Sequence, residues 1–143
     1  SFFDVRYAEG QSIHAGAEAR LLLVEGWNAA LGGLYRQTEL TRTGEPIPYV
    51  PAASGWATLG YVTPNQRGRV EVTGTLDGPR YADTRATERV DVYADLDLTG
   101  SFDVSPSFTL VARLDNLIPG SRSFWQRYPE APFTAMAGLS IRW

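Results

Sequence analysis

The residues of this sequence that could do chemistry are mostly acidic and lie two or four positions apart. Asp91, Asp95 and Asp97 alternate with apolar residues, so in an extended strand they fall on one side, about 13 and 7 Å apart. Carboxylates spread over that length cannot hold one ion. Residues 95–100 read DLDLTG and imitate the opening of a calcium loop, but its twelfth position is Pro106 instead of Glu. We therefore expect no metal at this segment.

Nothing in the sequence carries a catalytic mechanism. The chain has a single histidine, His14, and no cysteine, which excludes clustered imidazole or thiolate metal sites. Glu18 shares one side of a predicted strand with His14, yet no Ser or Cys nucleophile stands in register with them. P-loop, G-x-S-x-G and H-E-x-x-H motifs are missing from the sequence. We predict that the protein is not an enzyme and uses no cofactor or metal.

The charged residues of the strands fit an electrostatic role. On one side of the predicted strands, both signs are mixed: Arg69, Asp91, Asp95, Asp97, Arg113 and Asp115. We expect these side chains to face an enclosed aqueous lumen and the aspartates to pair with arginines of neighbouring strands. The formal net charge of -3 and pI near 5.1 argue against a nucleic-acid partner, because such proteins carry a basic face.

A second candidate site lies in a predicted external loop that contains Trp125, Arg127 and Tyr128. Their aromatic rings and guanidinium are suited to stacking on a planar ligand or to hydrogen-bonding an anionic chelate. The alternative is that the rings only anchor the loop at the outer leaflet of a membrane.

The elements that must position these residues are β-strands. The sequence shows almost no helical period, and apolar residues alternate with polar ones along most of the chain. About eight strands are predicted, at residues 3–7, 13–23, 27–35, 57–61, 69–76, 89–104, 108–115 and 133–143. Each has one side without charged residues, which predicts an all-β antiparallel sheet with one apolar face.

After the first connection, at residues 8–11, the connections between these strands alternate in length. Short ones fall at residues 24–26, 64–68 and 105–106, and long ones at 41–54, 78–88 and 116–132. Short turns on one rim and long loops on the other are typical of an up-and-down transmembrane β-barrel of the bacterial outer membrane. Aromatic residues near strand ends fit two girdles at headgroup level: Tyr7, Trp27, Tyr35, Tyr61, Phe108 and Phe133.

The end of the chain resembles the carboxy-terminal assembly signal of outer-membrane barrels. Residues 138–143 read GLSIRW, and the match consists of Gly138, the apolar Ile141 and the terminal aromatic Trp143. Met136 stands where that signal usually has a polar residue. The resemblance implies outer-membrane lipid and the barrel-assembly machinery as partners.

Residues 102–117, FDVSPSFTLVARLDNL, resemble the penultimate hairpin of TonB-dependent outer-membrane receptors. Residues 128–133, YPEAPF, fit the loop that follows it in that family, whereas residues 118–120 depart from the pattern. The resemblance implies that residues 1–143 are the carboxy-terminal portion of a transmembrane barrel without its plug domain. It also implies uptake of siderophore-type or other scarce nutrients, with the rest of the barrel, the plug or other envelope proteins as partners.

Three interpretations stay open at this point. Eight strands can close a small barrel filled by side chains, which would serve as an anchor or scaffold in an envelope complex without transport. They can equally be an arc of a larger barrel, which the resemblance favours. A soluble carrier with its apolar side turned inward is a third interpretation, since a soluble sheet also has one apolar face.

Overall fold

The computed structural model describes residues 9–118 and 132–142 as an antiparallel sheet with connecting loops. The strands are β1 (Gly10–Leu22), β2 (Trp27–Leu40), β3 (Ala53–Val62), β4 (Gly68–Asp77), β5 (Arg80–Tyr81), β6 (Arg89–Val90), β7 (Tyr93–Ser105), β8 (Phe108–Asp115) and β9 (Thr134–Ile141). Among the described residues, no helix is long and apolar enough to cross a membrane.

The main sheet contains seven strands in the order β1-β2-β3-β4-β7-β8-β9. Every neighbouring pair is antiparallel, and the strands follow one another in chain order apart from β5 and β6, which form a small separate hairpin. The predicted up-and-down topology is therefore confirmed. Within the described residues the sheet is open, because β1 and β9 each pair on one side only.

The predicted apolar sides of the strands all join into one face of the sheet. Residues directly opposite each other in a ladder point to the same side, so the register shows which faces coincide. One row, from β1 to β9, consists of Leu21, Ala29, Leu59, Val72, Leu98, Leu114 and Ala135. The neighbouring rows behave in the same way, and the sheet therefore has one continuous apolar face and one polar face.

On β2 and β3 the apolar face is the more exposed of the two. Leu110 and Leu139 are 46% and 62% exposed, and no hydrophobic side chain among the described residues is buried. In β2 the exposed positions include Leu31 and Tyr35, whereas the alternating positions on the polar face are half-buried. A soluble sheet buries its apolar side, so the interpretation as a soluble carrier does not fit this arrangement.

Strand boundaries differ from the predicted ones by a few residues in most strands, and the largest difference is at residues 89–104. The strand expected at residues 89–104 is divided: β6 pairs with β5, and the main-sheet strand begins only at Tyr93. The reason is that β4 ends at Asp77, whose partner is Tyr93, so earlier residues have no strand beside them in the main sheet. Asp91 consequently lies between β6 and β7 and not, as predicted, on the strand that carries Asp95.

The short turn between β1 and β2 depends on a glycine. Gly26 has φ of +83°, and a Cβ there would lie 2.9 Å from the Tyr61 ring and closer still to the Val62 carbonyl oxygen. We expect Gly26→Ala to lower the free energy of unfolding by at least about 2 kcal/mol. The cost of holding alanine in a left-handed backbone conformation adds to the clash of its Cβ with the Val62 carbonyl oxygen. Gly44→Ala is the matched control, since Gly44 has φ of +68° with open space around it, and should cost about 1 kcal/mol. If a urea titration gave the same loss of unfolding free energy for both variants, this explanation would be contradicted.

Candidate functional site

The polar face of the sheet collects most of the charged side chains of the strands. In register, its acidic members are Glu18, Glu71, Asp77, Asp95, Asp97, Asp103 and Asp115, and its basic members are Arg20, Arg36, Arg69 and Arg113. His14 lies on the same face, opposite Arg36. Carboxylates outnumber guanidinium groups, so this face carries a net negative charge.

Arg113 connects two of the predicted aspartates. Its Nε lies 2.5 Å from Oδ1 of Asp115 on the same strand, and its Nη2 lies 3.8 Å from Oδ2 of Asp97 on β7. Asp97 also accepts a hydrogen bond from the backbone N–H of Asn116, at 3.2 Å. The Arg113 side chain is half exposed, so the pairs contribute at most about 1 kcal/mol each; their main effect is to fix the orientation of these groups.

The other predicted lumen charges are not brought together. Arg69 lies opposite Val62 and Ser101, so its neighbours in register are not aspartates. Asp95 lies opposite Thr75, and its carboxylate accepts a hydrogen bond from the backbone N–H of Leu96 at 2.7 Å. The expected pairing of aspartates with both arginines thus holds in geometry for Arg113 alone.

A tryptophan that the sequence analysis did not single out lies at the centre of this face. Trp56 is opposite Gly32 and Thr75, and its indole lies so close to Gly32 that a Cβ there would be 2.7 Å from Nε1. The ring forms part of the inner groove, a space of about 650 Å³ whose charged lining groups are Glu18 and Asp77. We use the name inner groove for this space between Glu18, Trp56 and Asp77.

A sequence signal for Trp56 exists. The predicted strand began at residue 57, but β3 extends back to Ala53. Continuing the alternation backward places Trp56 in phase with Thr58 and Gly60, on the polar side. A large ring over a glycine is a pairing that only the register between β2 and β3 reveals.

The long connections on one rim are joined to each other. The backbone N–H of Tyr49 donates to the carbonyl oxygen of Tyr81 at 2.7 Å, which links the loop after β2 to the β5–β6 hairpin. Arg80 in that hairpin is 2% exposed. These loops therefore form a structured rim at the end of the sheet opposite the short turns.

A carboxylate organises the tip of this hairpin. Oδ1 of Asp83 accepts hydrogen bonds from the backbone N–H groups of Thr87 and Glu88, at 2.9 and 3.1 Å, and Oδ2 accepts one from the Thr87 hydroxyl. The Thr87 side-chain bond, followed by the Glu88 backbone bond, holds the pKa of Asp83 below its ordinary value of 3.8. The ionised form is thus the one that the folded turn stabilises.

We expect Asp83→Ala to raise the rate of tryptic cleavage after Arg85 several-fold at neutral pH, because the turn loses three acceptor bonds. Since the folded pKa is the lower one, the stabilising effect is present above pH 3.8 and lost as the pH falls through the folded value. Fragment masses after timed digestion provide the measurement. Asp91→Ala, in the same connection, is the matched control, and equal cleavage of both variants would contradict this role.

The predicted girdle residues that the structure describes lie near the two rims. Trp27 and Tyr61 are partners across β2 and β3, with ring centroids 4.8 Å apart, next to the short turns. Phe108 begins β8 at the same rim, whereas Tyr35 and Phe133 lie toward the long loops. Tyr61 is half-buried, and the other four side chains are exposed. Exposure of this kind is expected of residues on the outside of a sheet.

Two of the three predicted assembly residues, Gly138 and Ile141, lie on β9. Ile141 is opposite Phe108 on the apolar face, and Gly138 is opposite Val111. Several predicted residues lie outside the described ones: Tyr7, Trp125, Arg127, Tyr128 and Trp143. The strand predicted at residues 3–7 and most of the candidate ligand loop fall there too.

The described part of the polar face combines a net negative charge with a groove lined by Glu18, Trp56 and Asp77. No group of three or more His, Asp or Glu side chains within residues 9–118 and 132–142 is arranged to hold a metal ion. An acidic surface with a groove and a tryptophan can bind cationic groups or border a water-filled passage.

An apolar face without a buried core among the described residues, a polar face that carries the charges and up-and-down topology are together typical of the wall of a transmembrane β-barrel. Solved structures of transporters and uptake receptors share this fold. The chain is similar to the copper transporter OprC, with TM-score 0.77 and 13% identity over 94% of this chain. It is also similar to the ferric yersiniabactin uptake receptor FyuA from Yersinia pestis, with TM-score 0.72 and 18% identity over 94% of this chain.

A third similar structure is the siderophore receptor PiuA from Acinetobacter baumannii, with TM-score 0.62 and 22% identity over 90% of this chain. The chain spans only 24%, 24% and 20% of the three structures' own lengths, which agrees with the resemblance to a carboxy-terminal barrel segment. No protein-family model matches the chain, and no curated protein matches it significantly. The neighbours are transporters and receptors and not enzymes.

Proposed function

We propose that this chain forms part of the barrel wall of a bacterial outer-membrane receptor of the TonB-dependent type, which takes up a scarce nutrient such as a ferric siderophore or copper. The observation that carries the proposal is the continuous apolar face, which is in register across all seven strands and carries exposed side chains such as Leu31, Leu59, Leu110 and Leu139. Such a face is stable only against hydrocarbon. The fold shared with copper and siderophore receptors supports the choice of cargo.

The polar face in this proposal borders the barrel lumen and contacts a plug domain. Its excess of carboxylates, including Glu18 and Asp77 in the inner groove, suits basic side chains of such a plug. All of residues 1–143 belong to the barrel wall, and the plug is contributed by another part of the receptor. The lumen charges Arg69, Asp95, Asp97, Arg113 and Asp115 then line water or the plug.

The remaining roles follow from the same placement. The aromatic residues near the rims lie at the two headgroup levels, and the end of β9, with Gly138, Ile141 and Trp143, is the signal read by the barrel-assembly machinery. The external loop with Trp125, Arg127 and Tyr128 contributes to ligand capture by stacking and by charge.

The test uses the complete protein that contains this chain. We expect it to fractionate with the outer membrane, and deletion of its gene to abolish energy-dependent uptake of one radiolabelled cargo among ferric siderophores and copper. Complementation with a Trp125→Ala/Arg127→Ala double variant should restore the barrel but leave uptake at least about tenfold reduced, the typical effect of losing stacking and charged contacts together. Arg85→Ala, in another long loop, is the matched control and should restore uptake fully.

Two results would contradict the proposal. Recovery of the protein outside the outer membrane would exclude the barrel placement. Outer-membrane localisation with unchanged uptake of every cargo would instead favour an anchor or scaffold in an envelope complex.

A further inference from the structure

The inner groove has a carboxylate at each end. Its charged lining groups are Glu18 on β1 and Asp77 on β4, and β2 and β3 lie between them. Because neighbouring strands are about 4.8 Å apart and the two residues lie in adjacent rows of the register, their Cα atoms are roughly 15 Å apart. A single ammonium group therefore cannot contact both carboxylates.

The Trp56 indole forms the middle of the groove. Gly32 lies between Glu18 and Trp56 in register, and three atoms of the indole lie 2.7 to 3.0 Å from the position that a Cβ would take at Gly32. The indole thus leans over this glycine toward β1. Leu34 also lines the space, so an aromatic and an aliphatic residue separate the two carboxylates.

Both carboxylates can accept further hydrogen bonds. Oε1 of Glu18 accepts one from Nε of Arg20 at 2.7 Å, in a pair whose side chains are 47% and 81% exposed, and such an exposed pair is weak and leaves the second oxygen available. Asp77 is half-buried, and no described residue donates a hydrogen bond to its carboxylate. Arg36 donates to the Ser54 hydroxyl at 3.3 Å, and no arginine among the described residues lines the groove itself.

The groove lies at the long-loop end of the sheet. Asp77 is the last residue of β4, and the backbone N–H of Gly78 after it donates to the carbonyl oxygen of Ala53, the first residue of β3, at 2.8 Å. Trp56 lies further along β3, about 10 Å from this edge. The proposed placement turns the long loops to the outside, so a solute that enters from the medium meets the groove before it reaches the short-turn end of the lumen.

We propose that the inner groove binds the transported cargo and that this cargo is an elongated organic cation, with two ammonium or guanidinium ends joined by an aliphatic segment. One end hydrogen-bonds to Glu18 and the other to Asp77, while the aliphatic segment packs on the Trp56 ring, which also attracts the cations. The space of about 650 Å³ has the size of a small-ligand site. This inference rests on the proposed uptake function and narrows its substrate class: the nutrient, or the chelator that carries it, has two cationic groups. A single basic side chain of the plug has the same chemistry but cannot supply both ends.

Calorimetric titration with spermidine at low ionic strength tests the site in the complete protein, purified in mild detergent. We expect one saturable site, and Glu18→Gln and Asp77→Asn should each lower the affinity at least about tenfold, because each removes a charged hydrogen bond. Trp56→Leu should also weaken binding several-fold by removing the ring. n-Butylamine has a single cationic end and should bind at least about tenfold more weakly than spermidine.

Matched variants separate the site from general effects. Gly32→Ala places a methyl group where the indole lies and should weaken binding as Trp56→Leu does, whereas a Cβ at Gly33 would have the Ser54 carbonyl oxygen as its nearest neighbour, at 3.7 Å, and Gly33→Ala should leave the affinity unchanged. Glu71→Gln removes a carboxylate of the polar face near the short turns and should have no effect either. Heat-modifiable migration verifies that each barrel is folded. Equal affinity in all folded variants would overturn the inference.

Uptake measurements distinguish the cargo from the plug as the source of the cation. Excess spermidine should lower uptake of the radiolabelled cargo several-fold, because both occupy the inner groove. If the protein binds no spermidine, and Glu18→Gln instead makes the plug more sensitive to trypsin, a plug side chain occupies the groove and the inference is overturned.

Failure of the proposed function gives a different result. A protein that does not fractionate with the outer membrane contradicts the barrel placement itself. A protein that lies in the outer membrane and transports its cargo, yet neither binds spermidine nor is inhibited by it, contradicts only the cation site.

Discussion

The 143-residue chain produced on its own should not form a single monomeric species in detergent. In the described residues, β1 and β9 each have one neighbour, and their outer edges leave rows of backbone N–H and C=O groups without partners in the sheet. Each unsatisfied group costs several kcal/mol in hydrocarbon. Exposed edges pair with other chains, so we expect mixed oligomers and aggregates in light-scattering chromatography.

The complete protein containing this chain is the control, and it should be monodisperse, because further strands cover both edges. Heat-modifiable gel migration should be seen for the complete protein and not for the isolated chain. A uniform 15.7 kDa species with heat-modifiable migration would contradict the open arc. It would support instead the small closed barrel that the sequence left open.

Leu98→Arg should lower the free energy of unfolding of the membrane-inserted barrel by about 2–4 kcal/mol, the cost of a cation on the lipid face near the midplane. Leu98 lies between Val72 and Leu114, near the middle of β7. No hydrophobic side chain within residues 9–118 and 132–142 is buried, so a loss of this size requires hydrocarbon around Leu98. Urea unfolding in lipid vesicles, followed by tryptophan fluorescence, measures the difference.

The neighbouring residue provides the control for this prediction. Thr99 lies on the polar face, between Glu71 and Arg113, where attraction to one neighbour offsets repulsion by the other. Thr99→Arg should therefore change stability by less than about 1 kcal/mol. Equal losses for both variants, or a neutral Leu98→Arg, would show that hydrocarbon does not contact the apolar face.

Alternation along single strands predicted the faces of the sheet well. The side on which Leu59, Val72 and Leu98 lie follows from period two alone, because successive side chains point to opposite sides of any strand. The same rule misplaced Asp91, whose segment alternates perfectly. Strand formation there depends on a neighbour to pair with, and β4 ends before that neighbour is available.

Contacts between strands could not be predicted in this way. A shift of two residues between β7 and β8 leaves every face unchanged, yet it would move Arg113 from its place opposite Thr99 to a place opposite Ser101 or Asp97. The 3.8 Å contact between Arg113 and Asp97 therefore depends on the observed register. The position of Trp56 over Gly32 depends on register in the same manner. Alternation thus excludes registers that are shifted by one residue, because they would reverse the faces, but it does not choose among registers that differ by two residues.

The sequence by itself determined that this protein is an up-and-down antiparallel sheet with one apolar and one polar face, because the hydrophobic period and the lengths of the connections are local properties. Only the tertiary structure decided that the apolar face has no buried core among the described residues, that the described sheet is open, and that Arg67 lies over Phe102 at the rim. These features arise from hydrogen-bonded partners and contacts far apart in the chain. Their geometry is set when the strands pair and not by any one strand.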